Sequence, residues 1–169
     1  ADKDYRQLGT TIRQDIFQQT GISVSVGVGQ TKTLAKAANE LAKKHPEHHG
    51  VFDFTVLDTT EHLRYLNLIP VADIWGIGRH SAPKLQALGM YSAADLAQAS
   101  PQLIKQITSI HGMRTATELQ GTACLQLNDH PDAKKGICSS RSFGRAITEI
   151  SALQESIASH IDHGCAKLR

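Results

Sequence analysis

The sequence predicts an α+β chain built from consecutive pieces: an α–β–α–β segment, a run of short helices, and a strand followed by a helix. Three observations carry this. Two stretches with apolar residues at helical spacing flank Ile22–Gly29, where apolar and small residues alternate strictly. From Leu57 to Gly121 the pattern turns helical and is broken repeatedly by Pro70, Gly76, Gly78, Pro83, Gly89 and Pro101. Alternation returns over Ile137–Ile147, ahead of another helical pattern. The 169 residues, 40% hydrophobic and 20% charged, are enough to bury a core in one domain or two small ones.

Residues 4–19 read as an amphipathic helix with Leu8, Ile12, Ile16 and Phe17 on its apolar face, capped by Asp2 or Asp4. Asp2-Lys3-Asp4 has the form of a metal-binding D-x-D, but capping fits better because no third ligand stands nearby. In the strand Ile22–Gly29 one face is apolar and the other holds only Ser and Gly, so a helix or a ligand must pack closely on it. A second helix follows over Gln30–Lys43. The junction is neither a P-loop nor a dinucleotide fingerprint, since the required glycines and G-K-[ST] are absent. Lys32 falls in the first helical turn, where its charge opposes the macrodipole. Taken alone it reads as a lysine reaching into water. His45, His48 and His49 form a loop without metal-ligand spacing, and Val51–Phe54 is a short strand.

Asp58 caps a helix whose apolar face carries Leu63, Leu66 and Leu68, and Pro70 ends it. The stretch Ile74-Trp75-Gly76-Ile77-Gly78-Arg79-His80-Ser81-Ala82-Pro83-Lys84-Leu85 then joins an apolar lead-in to two glycines and a new helix. Leu85 and Leu88 are expected on its buried face, with Gly89 closing it. This is a helix-hairpin-helix pattern. Glycine permits the tight bend and close approach of a partner, and the amides of Gly76, Gly78 and His80 are expected to hold an anion at the helix start. The usual anion of this pattern is a nucleic-acid phosphate, gripped without base reading. The alternative is an ordinary turn in a bundle. Ser92 caps 93–98, Ser100-Pro101 caps 102–107, and 112–119 forms a further helix ended by Gly121. Residues 122–136 read as a linker, and Ser151 as the cap of a last helix with Ile157 and Ile161 on one face.

The net charge of +2 announces no strong global field. Basic residues cluster locally, at Lys32, Lys36, Lys43 and Lys44 and again at Lys134, Lys135, Arg141 and Arg145. Cys124, Cys138 and Cys165 form no C-x-x-C, which fits a reducing, cytoplasmic setting. No signal peptide or membrane-length apolar run is visible. Ala1 directly precedes one helical pattern and Arg169 ends inside another, so the chain reads as a piece of a longer one.

Four stretches in order now suggest a family. Val26-Gly27-Val28-Gly29-Gln30-Thr31-Lys32-Thr33-Leu34-Ala35-Lys36, Asp73-Ile74-Trp75-Gly76-Ile77-Gly78-Arg79, Glu118–Leu127 and Cys138-Ser139-Ser140-Arg141-Ser142-Phe143-Gly144-Arg145 together resemble a Y-family, translesion DNA polymerase of the UmuC-like kind. The resemblance covers nearly the whole chain. It implies a late palm subdomain over 1–57, an all-α thumb over 58–121, a linker over 122–136 and the beginning of a little-finger domain over 137–169.

By the same resemblance, Lys32 contacts the triphosphate of the incoming nucleotide. Gly76, Gly78, Arg79 and His80 hold the DNA backbone through the thumb, and Arg141, Ser142 and Arg145 lie along template phosphates. The implied reaction is nucleotidyl transfer assisted by Mg2+, in error-prone bypass during the SOS response. The family's metal-binding D-x-D and S-x-D-E motifs lie upstream of this chain, so the 169 residues alone are expected to be inactive. Implied partners are primer-template DNA, a dNTP, processed UmuD and RecA. A free-standing helix-hairpin-helix DNA-binding module, unrelated to polymerases, is the rival reading; it explains residues 70–90 but not Lys32 or the 138–145 stretch.

Overall fold

The computed structural model describes residues 4–126 and 136–168, in two units that divide between Leu127 and Asn128. Asp2, Lys3, Lys134, Lys135 and most of the expected linker lie outside the described residues.

The first unit opens with α1 (Tyr5–Thr20), β1 (Val26–Val28), α2 (Lys32–Lys44) and β2 (Val51–Asp53). Asp4 caps α1, its side chain accepting from the Gln7 amide at 2.9 Å. The two strands are parallel, with Val26 opposite Val51 and Gly27 opposite Phe52. Because side chains alternate across a strand, the valines face α1 and the glycines face α2. A Cβ on Gly27 would strike the backbone of Asn39 and Ala35, and one on Gly29 would come within 2.7 Å of the Ala35 amide. The small-residue face is therefore covered by a helix that lies against the strand backbone. Of the expected strand, only Val26–Val28 has a ladder partner.

The α1 face is not the one its periodicity suggests. Leu8, Ile12 and Phe17 are exposed, Ile16 is half-buried, and the buried residue is Gly9. A Cβ on Gly9 would stand 2.8 Å from Val51 Cγ1, so this helix approaches the sheet through its smallest residue. Arg13, one turn on, donates from Nε to the Val24 carbonyl at 2.7 Å and from Nη1 to the His49 carbonyl.

The remainder of the unit is helical: α3 (Thr59–Asn67), α4 (Ala82–Gln86), α5 (Ala93–Gln98), α6 (Pro101–Ile107) and α7 (Ile110–Leu119). Caps explain most of the starts. Asp58 accepts from the Glu61 amide, Ser92 and Asp95 make a capping box, and Ser109 caps α7. Ser100 makes no capping bond; its hydroxyl turns to Gln102, while Pro101 supplies the preset φ of the first position. Leu68 and Leu88 are exposed, against expectation. Each lies just past its helix end, where helical spacing no longer applies. Ile69 and Met90 turn inward instead, Met90 after Gly89 takes a φ of 82°. One apolar core runs from Leu34, Leu41 and Phe54 through Leu66, Val71 and Leu85 to Leu96, Ile104 and Leu119.

The second unit contains α8 (Ile150–Leu168) and an irregular segment before it, bent at Gly144 and Arg145. The strand expected over Ile137–Ile147 is not formed among the described residues. The segment has no ladder partner there, and its ties include a Ser139 hydroxyl 2.8 Å from His160 Nδ1 on α8. Ser151 is not the cap of α8: the helix begins at Ile150, and the Glu149 carbonyl accepts from Leu153.

Candidate nucleic-acid interface

The two-glycine bend is held from below and bare above. The Val71 amide donates to the Tyr91 carbonyl and the Ala93 amide to the Ile69 carbonyl, both at 2.8 Å, closing residues 70–92 into a loop. Val71, Ile74, Ile77, Ala82 and Leu85 point into the core. The residues between them, Trp75, Gly76, Gly78, Arg79 and His80, are therefore turned outward and exposed.

Gly76 has a φ of 95°, a left-handed conformation that side chains resist, and a Cβ there would collide with Thr115 Oγ1 of α7. Gly78 has no such constraint: a Cβ would meet open space. The bend therefore needs glycine at 76 for its own shape and not at 78. Ile77 and Ser81 spend their amides inside the loop, on Ile74 and Gly78. The amides of Gly76, Gly78, Arg79 and His80 have no acceptor among the described residues. Unpaired amides beside the exposed Arg79 and His80 make a surface suited to an anion. They belong to the loop, not to the helix start expected from the sequence, since α4 begins only at Ala82.

Lys32 sits beside the C-terminal turn of α7, whose Glu118 stands three residues on from the Thr115 that meets Gly76. Thr31 caps α2, accepting from the Leu34 amide at 3.1 Å and donating its hydroxyl to the Glu118 carbonyl at 2.8 Å. The fully buried Glu118 carboxylate lies at this helix start. Its Oε2 accepts from the Thr33 amide at 3.0 Å and hydroxyl at 2.7 Å, and its Oε1 from the amides of Cys124 and Leu125 at 3.1 and 2.8 Å. Burial works to raise its pKa, but the hydrogen bonds from Thr33, Cys124 and Leu125 outweigh it and hold the carboxyl below the ordinary 4.5. An anion thus already meets the α2 dipole, from within the chain. The half-buried Lys32 donates from Nζ to the Gln126 carbonyl at 2.6 Å.

Sequence reasoning missed Glu118 as a functional group. The available signal was a carboxylate beside Ala116 and Leu119 near the end of α7, three positions after Thr115. That i, i+3 spacing sets Thr115 under Gly76 and Glu118 under Thr33 on one helix face. The structure thus gathers Gly76, Gly78, Arg79 and His80 in one loop and ties that loop to the Lys32 turn through α7. Arg141, Ser142 and Arg145 are exposed on the irregular segment that precedes α8 in the second unit.

The histidine loop is used for packing. His48 lies edge-on to Phe52 and Tyr65, with ring centroids 4.6 and 5.7 Å apart, and burial lowers its pKa. Among the described residues no three His, Cys, Asp or Glu side chains converge, so they offer no cage for the Mg2+ that the resemblance implies.

Residues 1–40 match the impB/mucB/samB family. Protein UmuC of Salmonella typhimurium is 39% identical over 168 residues, which is 99% of this chain and 39% of that protein. The chain belongs to this UmuC-like family. DNA polymerase IV of Lactococcus lactis subsp. cremoris is 28% identical over 141 residues, 83% of the chain and 36% of that protein. Among solved structures, the insertion ternary complex of Dbh DNA polymerase is similar with a TM-score of 0.51 and 27% identity, covering 69% of this chain and 32% of that one. The UmuC-like chain therefore spans about two fifths of the length of the curated relatives it matches. Its mixture of many helices with little sheet has its structural neighbours among Y-family polymerases.

Proposed function

We propose that this UmuC-like chain is the late-palm, thumb and early little-finger part of an error-prone translesion DNA polymerase. The observation that carries this is the bend at Gly76–His80: solvent-facing, with unpaired amides, fixed on a packed base. In this reading the bend grips the backbone of primer-template DNA without reading bases. Arg141, Ser142 and Arg145 extend the grip along template phosphates. Lys32 meets the triphosphate of the incoming dNTP, trading its neutral Gln126 acceptor for a charged one.

The Mg2+ chemistry of the whole enzyme needs gathered carboxylates, which the family resemblance puts upstream of this chain and which do not cluster among the described residues; in this reading the 169 residues alone bind DNA without extending a primer. Processed UmuD and RecA are the partners the family suggests, in the bacterial cytoplasm during SOS mutagenesis. The test is steady-state primer extension by the complete polymerase. Lys32→Ala raises the apparent KM for dNTP more than it weakens DNA binding; an unchanged nucleotide KM rejects that role.

A further inference from the structure

One fully buried residue grasps both neighbours of Lys32 and the segment on which Lys32 rests. Thr31, before it, gives its hydroxyl to the Glu118 carbonyl; Thr33, after it, gives its amide and hydroxyl to Glu118 Oε2. The other carboxylate oxygen holds the amides of Cys124 and Leu125. The next residue, Gln126, supplies the carbonyl that receives Lys32 Nζ at 2.6 Å. The circuit therefore closes on itself: α7 fixes the first turn of α2, α7 also fixes residues 124–125, and the Lys32 ammonium spans the gap between the two.

We infer that Glu118 is a positioning residue for Lys32: it sets the spacing between the first turn of α2 and residues 124–126, and so docks the Lys32 ammonium on the Gln126 carbonyl. The consequence for function rests on the triphosphate reading of Lys32 above. A single neutral carbonyl is a weaker partner than a phosphate oxygen, so the dock holds the ammonium in place and yields it to an anion. Lys36 and Lys43, on the same helix, are exposed.

Differential acetylation of the protein with acetic anhydride, read lysine by lysine by mass spectrometry, tests the dock directly. Lys32 is expected to react several-fold more slowly than Lys36 and Lys43, which serve as internal references. In Glu118→Ala, Lys32 rises to the rate of Lys36 while both references stay unchanged; in Glu118→Gln, which keeps one acceptor oxygen, it lies between. Should Glu118→Ala fail to fold by circular dichroism, Thr33→Val removes the hydroxyl bond alone and gives a smaller rise in the same direction. A wild-type Lys32 as reactive as Lys36, or unchanged Lys32 reactivity in a folded variant of the series, overturns the inference. Adding a nucleoside triphosphate with Mg2+ to the complete polymerase separates the two readings. Failure to protect Lys32 further counts against the triphosphate contact and leaves the dock standing.

Discussion

Glu118 Oε2 lies 3.0 Å from the amide and 2.7 Å from the hydroxyl of Thr33, joining residues 85 positions apart. A buried carboxylate is costly unless its oxygens are satisfied, and here both are. Glu118→Ala strands the Thr33, Cys124 and Leu125 amides. The expected loss is about 3 kcal/mol or more, read as a lower urea midpoint at unchanged slope. A loss under about 0.5 kcal/mol, the scale of an ordinary surface change, would mean the carboxylate is not a structural anchor.

The same hydrogen bonds make stability depend on acid. The folded pKa of Glu118 is held below 4.5, so the unfolded chain takes up the proton first as pH falls. The contribution is complete above 4.5 and is lost as pH drops through the folded value. Thermal midpoints measured from pH 6 down to pH 3 should therefore fall, with a shallower fall in Glu118→Gln; parallel curves for the two proteins would contradict this.

Helix positions were largely legible because caps and breakers are local, whereas strands depend on partners: the one expected over 137–147 has none among the described residues. Asp4, Asp58, Ser92, Pro70 and Gly89 each act within a few residues. The faces were less legible. Leu8 and Ile12 have the periodicity of a buried stripe, yet α1 docks through Gly9, because the distance of closest approach is set by the sheet it meets. The position of the bend at Gly76–His80 showed in its glycines, but its amides lie in the loop and not at the helix start the pattern suggests, since α4 begins only at Ala82. The role of Glu118 did not show, since its partners Thr33 and Leu125 come from distant and adjoining segments that only the fold brings together.

The two glycines of the bend should separate cleanly. Gly76→Ala combines a φ of 95° with a collision against Thr115, and should cost about 1–3 kcal/mol of stability. Gly78→Ala has room and an unstrained backbone, so its stability should be unchanged or higher by up to about 1 kcal/mol. Chemical denaturation of both variants checks this; equal losses would mean the bend is not shaped as described.

Gly27 tests the sheet in the same way. An alanine there would press on the backbone of Asn39 and Ala35, which cannot move aside as a side chain would. Gly27→Ala should destabilise by about 1–3 kcal/mol or more. It should also displace the α2 turn that carries Lys32, visible as amide shifts of Thr31–Leu34 in NMR spectra. Native stability with unshifted amides would refute the close helix–strand contact.

The most direct test of the phosphate grip is a fluorescence-anisotropy titration of unrelated duplexes with the wild type and Gly78→Ala across a range of salt. Wild-type affinity should fall linearly on logarithmic axes as salt rises. Gly78→Ala, though fully folded, should bind every duplex more weakly by a similar factor, because the added methyl blocks the approach of a phosphate to the bend. Salt-independent binding, or a Gly78→Ala variant that binds as the wild type does, would contradict the account.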